Sequence, residues 1–375
     1  MKIVILAGAG GSSGLKGHIK GFLSACSVDS TVQVTVICTP QLIEFLHGKA
    51  APNVKLVPLE ESKVRISDYI LHKPLSDSVQ QILAQENPDF VLVMSSIMRK
   101  GLENYRTVLE LHNQLYIDTK QLRRMGFSKT TLSLLIQRYY TKRSMKQAEA
   151  VIFDSAQSMR QTKEHGFAFQ KGIYVHYGIE PSERQFAFKN APLHDPVTLI
   201  YVSAIFPYKN QIQLVRGIAE LKKRGIQAKL HLVGSGPAKY EEKLKQEIQK
   251  LGVADNIVLH NWVEHDKIKH MIDESDIFVY GSSVETSGFG LMEGMARGAV
   301  IACNAESCMP EVLGDGGELF DVHSPQSTAD ALQRLIENPK SRAEYAKKAF
   351  DVSAQYTWEN HAQKIFATLK EMLGE

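Results

Sequence analysis

The stretch Ser282–Gly298 reads Ser-Ser-Val-Glu-Thr-Ser-Gly-Phe-Gly-Leu-Met-Glu-Gly-Met-Ala-Arg-Gly and decides the fold of this 375-residue chain. An apolar run just before it predicts a buried strand. After a glycine-containing turn, a short helix is predicted over Leu291–Arg297. Outward-pointing backbone N–H groups are expected at Phe289, Gly290 and Leu291, where the helix dipole adds partial positive charge. Strand, turn and helix together predict an anion site.

Two carboxylates, Glu285 and Glu293, lie eight positions apart on either side of that turn. Carboxylate oxygens accept hydrogen bonds from hydroxyl groups, and the helix start binds phosphate. A ligand with a diphosphate and several hydroxyls, such as a sugar nucleotide, suits both features. The alternative is a buried strand, turn and helix with two solvated glutamates, as any α/β protein has.

This stretch resembles the Glu-x7-Glu signature of retaining glycosyltransferases of family 4, which have the GT-B fold. The turn glycines and Phe289, Leu291, Met295 and Ala296 lie where that motif has its usual residues. The resemblance covers essentially the whole chain, strongest from Ser203 to Gly317. It implies a retaining, metal-independent transfer of a sugar from a nucleoside-diphosphate-sugar to an acceptor, commonly in bacterial polysaccharide or lipopolysaccharide biosynthesis.

Composition places the chain among globular proteins with more than one domain. Apolar residues make up 43% and charged residues 23% of the sequence. The length fits two ordinary domains, and no apolar run approaches a membrane span. The four cysteines show no zinc-type spacing, so a reduced, cytoplasmic setting is the simplest inference.

Short apolar runs alternate with helix-like stretches, which predicts parallel sheets built from βαβ units. The predicted strands are Ile3–Ala7, Val32–Cys38, Val54–Pro58, Phe90–Met94, Thr107–Leu111, Val151–Asp154, Ile173–His176, Leu199–Ser203, Leu230–Val233, Ile257–His260, Ile277–Tyr280 and Ala299–Cys303. A polar, proline-punctuated linker over 188–196 separates the two halves.

The expected architecture is therefore α/β, with two Rossmann-like domains facing each other across a cleft. Residues 1–190 are predicted to form the acceptor-binding domain and residues 191–355 the nucleotide-sugar-binding domain. By the resemblance, a last helix within 356–375 crosses back onto the N-terminal domain.

The positive charge is concentrated between residues 119 and 146. Residues 1–197 carry a net charge of +7, and the remainder carries −4. The cations of this basic segment are Lys120, Arg123, Arg124, Lys129, Arg138, Lys142, Arg143 and Lys146, with Leu132, Leu135, Ile136, Tyr139 and Tyr140 between them. One interpretation is an amphipathic helix resting on an anionic membrane surface; the other is a solvated helix packing its apolar stripe on its own domain. Nucleic acid is not expected as a partner.

The resemblance also assigns a leaving-group cation. Lys209 matches the family lysine that holds the donor diphosphate, and Ser203 lies in the same loop. The family's glycine and arginine positions in this loop hold Ser203 and Ala204, so one of two family cations is absent.

Further donor contacts are implied at glycine turns and strand ends. The family's Gly-x-Gly-Pro turn is matched by Gly234 and Gly236, and its Gly-Gly loop by Gly10 and Gly11. Asn261, Trp262 and Val263 occupy the base-binding position, where asparagine replaces the usual glycine, so uridine and guanosine donors both stay open. The complete predicted donor site is Gly10, Gly11, Ser203, Lys209, Gly234, Gly236, Asn261, Trp262, Val263, Glu285, Ser287, Gly288, Phe289, Gly290, Leu291 and Glu293.

By the same resemblance Lys209, Glu285 and His112 are the predicted catalytic residues, with Glu285 on the transferred sugar and Glu293 on the ribose. His112 matches the family histidine that lines the sugar site. No cofactor is expected, and no cluster of histidine, cysteine and carboxylate has metal-ligand spacing. The alternatives are a non-catalytic sugar-nucleotide-binding subunit, suggested by Ala204, and a GT-B epimerase or phosphorylase. A nicotinamide oxidoreductase is disfavoured because the dinucleotide glycine fingerprints are incomplete.

Overall fold

The computed structural model describes residues 1–8, 13–59 and 74–375. The chain forms two compact units. Unit 1 comprises Met1–Glu180 and Tyr356–Glu375, and unit 2 comprises Pro181–Gln355. The assignment of one domain to the acceptor and the other to the donor stays a prediction.

Unit 1 is built on a seven-stranded, fully parallel sheet in the order β3-β2-β1-β4-β5-β6-β7. Its strands are Lys2–Gly8 (β1), Gln33–Cys38 (β2), Val54–Pro58 (β3), Phe90–Val93 (β4), Thr107–Leu111 (β5), Ala150–Phe153 (β6) and Lys171–Tyr174 (β7). The central strands β4, β5 and β6 are buried along their whole length. Unbroken apolar runs form such strands because helices cover both faces of the sheet.

The helices of unit 1 that the structure describes are Ser13–Ala25 (α1), Pro40–Leu46 (α2), Asp77–Glu86 (α3), Thr119–Arg124 (α4), Lys129–Gln147 (α5), Ala156–Glu164 (α6) and, at the end of the chain, Trp358–Leu373 (α14). Side chains that favour helix starts accept from free backbone N–H groups: Ser76 begins α3, Asp118 begins α4 and Ser128 begins α5. None of the described helices is long and apolar enough to cross a membrane.

Unit 2 repeats the pattern with a six-stranded parallel sheet in the order β10-β9-β8-β11-β12-β13. Its strands are Val197–Val202 (β8), Ala228–Val233 (β9), Ile257–His260 (β10), Ile277–Tyr280 (β11), Ile301–Asn304 (β12) and Gly317–Phe320 (β13). Its helices are Gln211–Lys223 (α7), Ala238–Lys250 (α8), His265–Asp273 (α9), Phe289–Ala296 (α10), Met309–Leu313 (α11), Pro325–Glu337 (α12) and Pro339–Ser353 (α13).

Both sheets have the strand order of a Rossmann-like domain, as predicted. The order reverses between β1 and β4 in unit 1 and between β8 and β11 in unit 2. Open α/β sheets bind ligands at the carboxyl ends of the strands beside such a reversal. The fold therefore directs attention to the loops that follow β8 and β11.

The last helix packs within unit 1, as predicted. The ring of Trp358 lies so close to α1 that a Cβ at Gly21 would come within 2.0 Å of it. A Cβ at Gly178 would come within 2.2 Å of the Trp358 backbone nitrogen, and the Ile179 N–H donates to the Tyr356 carbonyl at 2.8 Å. Glycine is needed at both positions because α14 approaches them so closely.

The twelve predicted strands are confirmed within two residues, but three details were wrong. The strand Gly317–Phe320 was missed. The helix predicted over Leu291–Arg297 spans Phe289–Ala296. The basic segment, which both interpretations treated as one helix, forms two helices, α4 and α5.

Candidate active site

Lys209 is positioned by the loop that follows β8. Pro207–Lys209 form one 3-10 turn, and Asn210 in the left-handed conformation (φ 59°) begins α7. The Asn210 side chain donates to the Gly281 carbonyl at 2.8 Å, and the Ser283 N–H donates to the Tyr208 carbonyl at 2.9 Å. These bonds join the loops after β8 and β11 at the strand-order reversal.

The two joined loops bring Lys209 against Glu285. The Lys209 Nζ donates to Glu285 Oε1 in an ion pair, and the two side chains are 15% and 16% exposed. The Tyr280 hydroxyl donates to the same carboxylate oxygen at 2.9 Å. Burial, followed by the neighbouring Glu285, raises the pKa of Tyr280 well above its usual value, so the phenol stays a donor. Two predicted catalytic residues thus form one contact, the Lys209–Glu285 pair.

The backbone of Glu285 is held by a residue that the sequence did not single out. Ser307, in the left-handed conformation (φ 61°), donates through Oγ to the Glu285 carbonyl at 2.8 Å and accepts from the Glu285 N–H at 3.1 Å. In the sequence, Ser307 is marked only as a serine in the loop after β12, the strand next to β11, and that alone does not indicate a contact with Glu285. Its partner lies 22 positions away.

Helix α10 begins at Gly288, which is left-handed (φ 69°), and no side chain caps it. The predicted set of three free N–H groups was wrong at Leu291, whose N–H donates to the Gly288 carbonyl at 2.8 Å. This bond closes a tight first turn. Ser287 and Gly288 are buried beside it, whereas Phe289 and Gly290 are half-buried. The dipole of the helix still makes this end electropositive.

The predicted glycine turn packs on the Lys209 loop. A Cβ at Gly234 (φ 136°) would lie 2.2 Å from the Ser203 carbonyl oxygen, and one at Gly236 would lie 1.9 Å from that of Ile205. Only glycine permits these approaches, so the two glycines shape the loop that carries Lys209. Ser203 is half-buried and donates to the Ala204 carbonyl, while Ala204 is exposed.

Asn261, Trp262 and Val263 follow β10 at its carboxyl end. Asn261 is exposed, Val263 is half-buried and Trp262 is 76% exposed. A cavity of about 220 Å³ lies beside Asn261, between the Gly234 turn and α8. It is lined by Ile205, Gly234, Glu241, Leu244, Lys245, Leu259, His260 and Asn261. The predicted base-binding position therefore borders a cavity lined by both polar and apolar side chains.

Glu293 lies beside groups that the sequence analysis did not name. Its neighbours include Glu183, Lys269 and His265, and Glu183 is ion-paired to Lys269 at 2.9 Å. Burial, and then the negative charge of Glu183, raise the pKa of Glu293 to about 7, against a smaller opposing effect of Lys269. Near neutral pH this carboxyl group is partly protonated.

In unit 1, His112 follows β5, but its ring nitrogens face protein groups. Its Nδ1 lies 2.8 Å from the Tyr177 hydroxyl, and its Nε2 lies 3.5 Å from Glu110 Oε2. Burial, and then the neighbouring His361, lower the pKa of His112 to about 4. His112 is therefore a neutral imidazole at neutral pH, and its predicted contact with a sugar stays a prediction. Gly10 and Gly11 lie outside the described residues.

The basic segment presents a mixed apolar and cationic surface. Phe127 is fully exposed, and Leu132, Leu135 and Tyr139 are 44–63% exposed. The spacing of the last three puts them on one stripe of α5. The exposed cations Lys129, Lys142, Arg143 and Lys146 project around the same stripe. We call these eight residues the apolar-basic face.

The opposite side of α5 packs on unit 1 through Leu134, Thr141 and Met145. Arg138 also turns inward: its guanidinium donates to the carbonyls of Ile117 and His165. Of the five apolar residues in the segment, Leu132, Leu135 and Tyr139 are exposed and do not pack on unit 1, whereas Ile136 and Tyr140 are half-buried.

Residues 182–352 match the family model of glycosyl transferases group 1. The D-inositol 3-phosphate glycosyltransferase of Corynebacterium diphtheriae is 26% identical over 46% of this chain and 42% of its own. The GDP-mannose-dependent alpha-(1-6)-phosphatidylinositol monomannoside mannosyltransferase of Mycobacterium tuberculosis is 27% identical over 50% of each chain. The chain thus spans about half the length of the curated relatives it matches.

Solved structures match over nearly the whole chain. A glycosyltransferase from Rickettsia africae has a TM-score of 0.73 at 14% identity, covering 99% of this chain and 98% of its own. HepE from Anabaena, solved with UDP and glucose, has a TM-score of 0.68 at 19% identity, covering 99% and 100%. At these identities the likeness shows the fold, which is the predicted GT-B class with two Rossmann-like domains.

Proposed function

We propose that this chain is a retaining glycosyltransferase that takes a sugar from a nucleoside-diphosphate-sugar bound in unit 2. The observation that carries the proposal is the Lys209–Glu285 pair at the strand-order reversal, next to the uncapped start of α10. The family match over residues 182–352 falls on this same unit. The resemblance of Ser282–Gly298 to the Glu-x7-Glu signature adds the finer assignment to family 4.

In the proposed reaction, the positive groups of unit 2 stabilise the leaving diphosphate. Lys209 has three N–H donors, so it can keep Glu285 and still donate to a phosphate oxygen. The start of α10 adds its dipole on the other side of the loop. The bond between the sugar C1 and the phosphate oxygen breaks, and the bond to the acceptor oxygen forms on the same face. The departing phosphate oxygen takes the acceptor's proton, so no protein nucleophile is needed.

Two carboxylates select the donor by its hydroxyls. Glu285, fixed by Tyr280, Lys209 and Ser307, accepts from a hydroxyl of the transferred sugar. Glu293 accepts from the ribose. His112 is assigned no proton transfer, because both of its ring nitrogens face protein groups.

No metal ion is required at the diphosphate in this proposal. A positive side chain and a helix end supply the charge that a metal would otherwise supply there. We therefore expect nucleotide affinity, measured by calorimetry with UDP and GDP, to be the same with and without added Mg²⁺ or Mn²⁺. A dependence on either ion greater than tenfold would contradict the proposed diphosphate site.

The apolar-basic face is proposed to rest on an anionic lipid surface. Exposed leucine and aromatic side chains lower their free energy by leaving water for the membrane interface. The surrounding cations are attracted to acidic lipid headgroups. This placement supports a cytoplasmic enzyme that acts at the membrane face on a lipid-linked or growing glycan acceptor, as in polysaccharide or lipopolysaccharide synthesis.

The rival proposal is a subunit that binds a sugar nucleotide without transferring it, favoured by exposed Ala204 in place of a second cation. A transfer assay with UDP-, GDP-, dTDP- and ADP-sugars separates the two, preceded by a thermal-shift screen for the donor. We expect one donor to be consumed with release of its nucleoside diphosphate. Glu285→Gln should then lose turnover while free nucleotide still binds. Tight binding with no consumption of any donor by the wild type would favour the rival.

A further inference from the structure

A cluster of two buried histidines and one half-buried histidine surrounds one carboxylate inside unit 1. It consists of His18 from α1, Glu110 near the end of β5, His112 just after β5, and His361 from α14; we call it the histidine cluster. His18 and Glu110 are each 1% exposed, and His361 is fully buried. One ligand atom each from His18, Glu110 and His112 lies within 4.8 Å of the others. His112 is also one of the catalytic residues predicted from the sequence, whereas His18, Glu110 and His361 belong to no site predicted above.

The nitrogens of the cluster converge. His18 Nε2 lies 3.1 Å from Glu110 Oε1, His112 Nε2 lies 3.5 Å from Glu110 Oε2, and His361 Nε2 lies 3.5 Å from His18 Nε2. Four-coordinate zinc, with bonds of roughly 2.0–2.1 Å, holds neighbouring ligand atoms about 3.3–3.4 Å apart. The three separations just given, 3.1, 3.5 and 3.5 Å, lie close to that value, and the ligand atoms of His18, Glu110 and His112 all lie within 4.8 Å of one another.

Hydrogen bonds outside the cluster bear on which ring nitrogens face inward as acceptors. A carbonyl can only accept, so His361 Nδ1 donates to the His176 carbonyl at 2.9 Å, and in the neutral ring Nε2 carries the lone pair. His112 Nδ1 lies 2.8 Å from the Tyr177 hydroxyl, which can donate or accept. In the tautomer in which His112 Nδ1 donates to that hydroxyl, Nε2 is also an acceptor. Metal-binding histidines have this kind of support on their outer nitrogen.

The inner atoms, by contrast, face one another without the geometry of hydrogen bonds at Glu110 Oε1 and His112 Nε2. Among the described residues, Glu110 Oε1 and His112 Nε2 are buried and have no hydrogen bond. No lysine or arginine of the described chain pairs with Glu110, whose charged neighbours are the two histidines. A buried carboxylate oxygen without a hydrogen bond is costly unless a cation lies beside it. His18 Nδ1 also lacks a partner among these residues, so His18 is the least firmly held of the three histidines.

We propose that the histidine cluster binds a divalent transition-metal ion, with zinc the best match to imidazole and carboxylate donors in this geometry. Glu110, His18 and His112 supply three ligands, and His361 Nε2 or a water molecule supplies the fourth. The ion joins α1 and the end of β5, and with His361 as the fourth ligand it also holds the last helix on unit 1. This proposal does not depend on the proposed function.

The test uses the full-length wild-type chain loaded with Zn²⁺ or Co²⁺ and dialysed. We expect close to one equivalent of zinc per chain by elemental analysis. The cobalt form should show the intense visible bands of a four-coordinate ion. Zinc loading should also raise the Tm. A folded wild type that keeps neither ion overturns the proposal and leaves His18 and Glu110 as a pair that shares a proton.

Variants identify the site. Glu110→Gln with His112→Gln should abolish the cobalt bands, and Tyr177→Phe should weaken zinc binding by roughly 10–100-fold, the usual effect of losing support on a ligand histidine. His231→Gln is the matched control, because it removes a half-buried histidine from a separate pair with His260 in unit 2. Its zinc content should equal that of the wild type. Unchanged metal binding by the folded double variant would refute the site, and if that variant fails to fold, the wild-type cobalt spectrum decides.

Discussion

At the residue scale, Lys209 is proposed to bind the donor diphosphate, yet it already has a protein partner in Glu285. The ammonium is held by Glu285, and the tyrosine hydroxyl of Tyr280 supports the same carboxylate oxygen. A buried pair of opposite charges loses much when one partner is removed, because the other is left uncompensated. Substitutions at Lys209 therefore act on the donor and on Glu285 together.

Lys209→Ala should lower kcat by roughly 10²–10³, the scale for losing one preorganised stabilising donor. Lys209→Arg should be partly tolerated, since a planar guanidinium differs in reach from an ammonium. Steady-state transfer assays measure both, with Lys250→Ala on the exposed side of α8 as the control. Near-wild-type transfer by Lys209→Ala would show that another cation acts at the diphosphate.

Because Ala204 is exposed, Ala204→Arg should tighten nucleoside-diphosphate binding if that position faces the phosphates.

Glu293 predicts a pH dependence of nucleotide binding. Only the ionised carboxylate accepts two ribose hydroxyl hydrogen bonds, and its pKa is raised to about 7 by burial. Affinity for UDP or GDP should rise between about pH 6 and about pH 8, and Glu293→Gln should flatten that rise. Calorimetry across this range provides the measurement. The same steep rise in Glu293→Gln would assign the titration to another group.

The same raised pKa acts in the opposite direction on folding stability, which falls as pH rises. An unfolded glutamate ionises near its ordinary value, whereas the folded protein keeps the proton until about pH 7. The contribution of Glu293 to stability is therefore lost as pH rises between these two values. Glu293→Gln should make the stability of the chain less sensitive to pH in this window.

At the element scale, the packing of α14 on α1 depends on an absent side chain. The Trp358 ring occupies the space that a Cβ of Gly21 would need, with a separation of only 2.0 Å. Trp358 is itself 3% exposed, so its ring has little room to move. The close contact between α1 and α14 therefore requires glycine at position 21.

Gly21→Ala should destabilise the chain by about 1–3 kcal/mol, the usual cost of overpacking. Gly17→Ala, one turn earlier in the same helix, has no atom within 4 Å of the new Cβ. It should be neutral, or stabilising by up to about 1 kcal/mol through helix propensity. Urea unfolding of the two variants makes the comparison. Equal effects would mean that the α1–α14 contact does not limit stability.

The exposed stripe of α5 predicts a separable membrane function. Leu135→Ser combined with Tyr139→Ser should reduce sedimentation with acidic vesicles several-fold while leaving Tm and nucleotide affinity unchanged, because both side chains are exposed. Leu319→Ser, an exposed leucine of unit 2, should have no effect on sedimentation. A double variant that sediments like the wild type would contradict the proposed lipid contact.

At the scale of the whole molecule, charge is divided along the chain. Residues 1–197 carry +7 and residues 198–375 carry −4, and the exposed cations of α4 and α5 lie in unit 1. Surface charges are screened over about 8 Å at physiological salt. Vesicle binding should therefore fall steeply as NaCl is raised, and it should require acidic lipid. Binding that is insensitive to salt would point to the apolar side chains alone.

The sequence by itself determined the alternation of strands and helices, both parallel sheets and the last helix, because hydrophobic periodicity and glycine punctuation act over a few neighbouring residues. It also placed Lys209 and Glu285 at strand ends. Only the tertiary structure decided that these two pair, that Ser307 holds Glu285, and that Glu293 lies beside Glu183. The histidine cluster is the extreme case, since His18 and His361 lie 343 positions apart. Such contacts depend on how packed elements meet in space, and no local pattern records them.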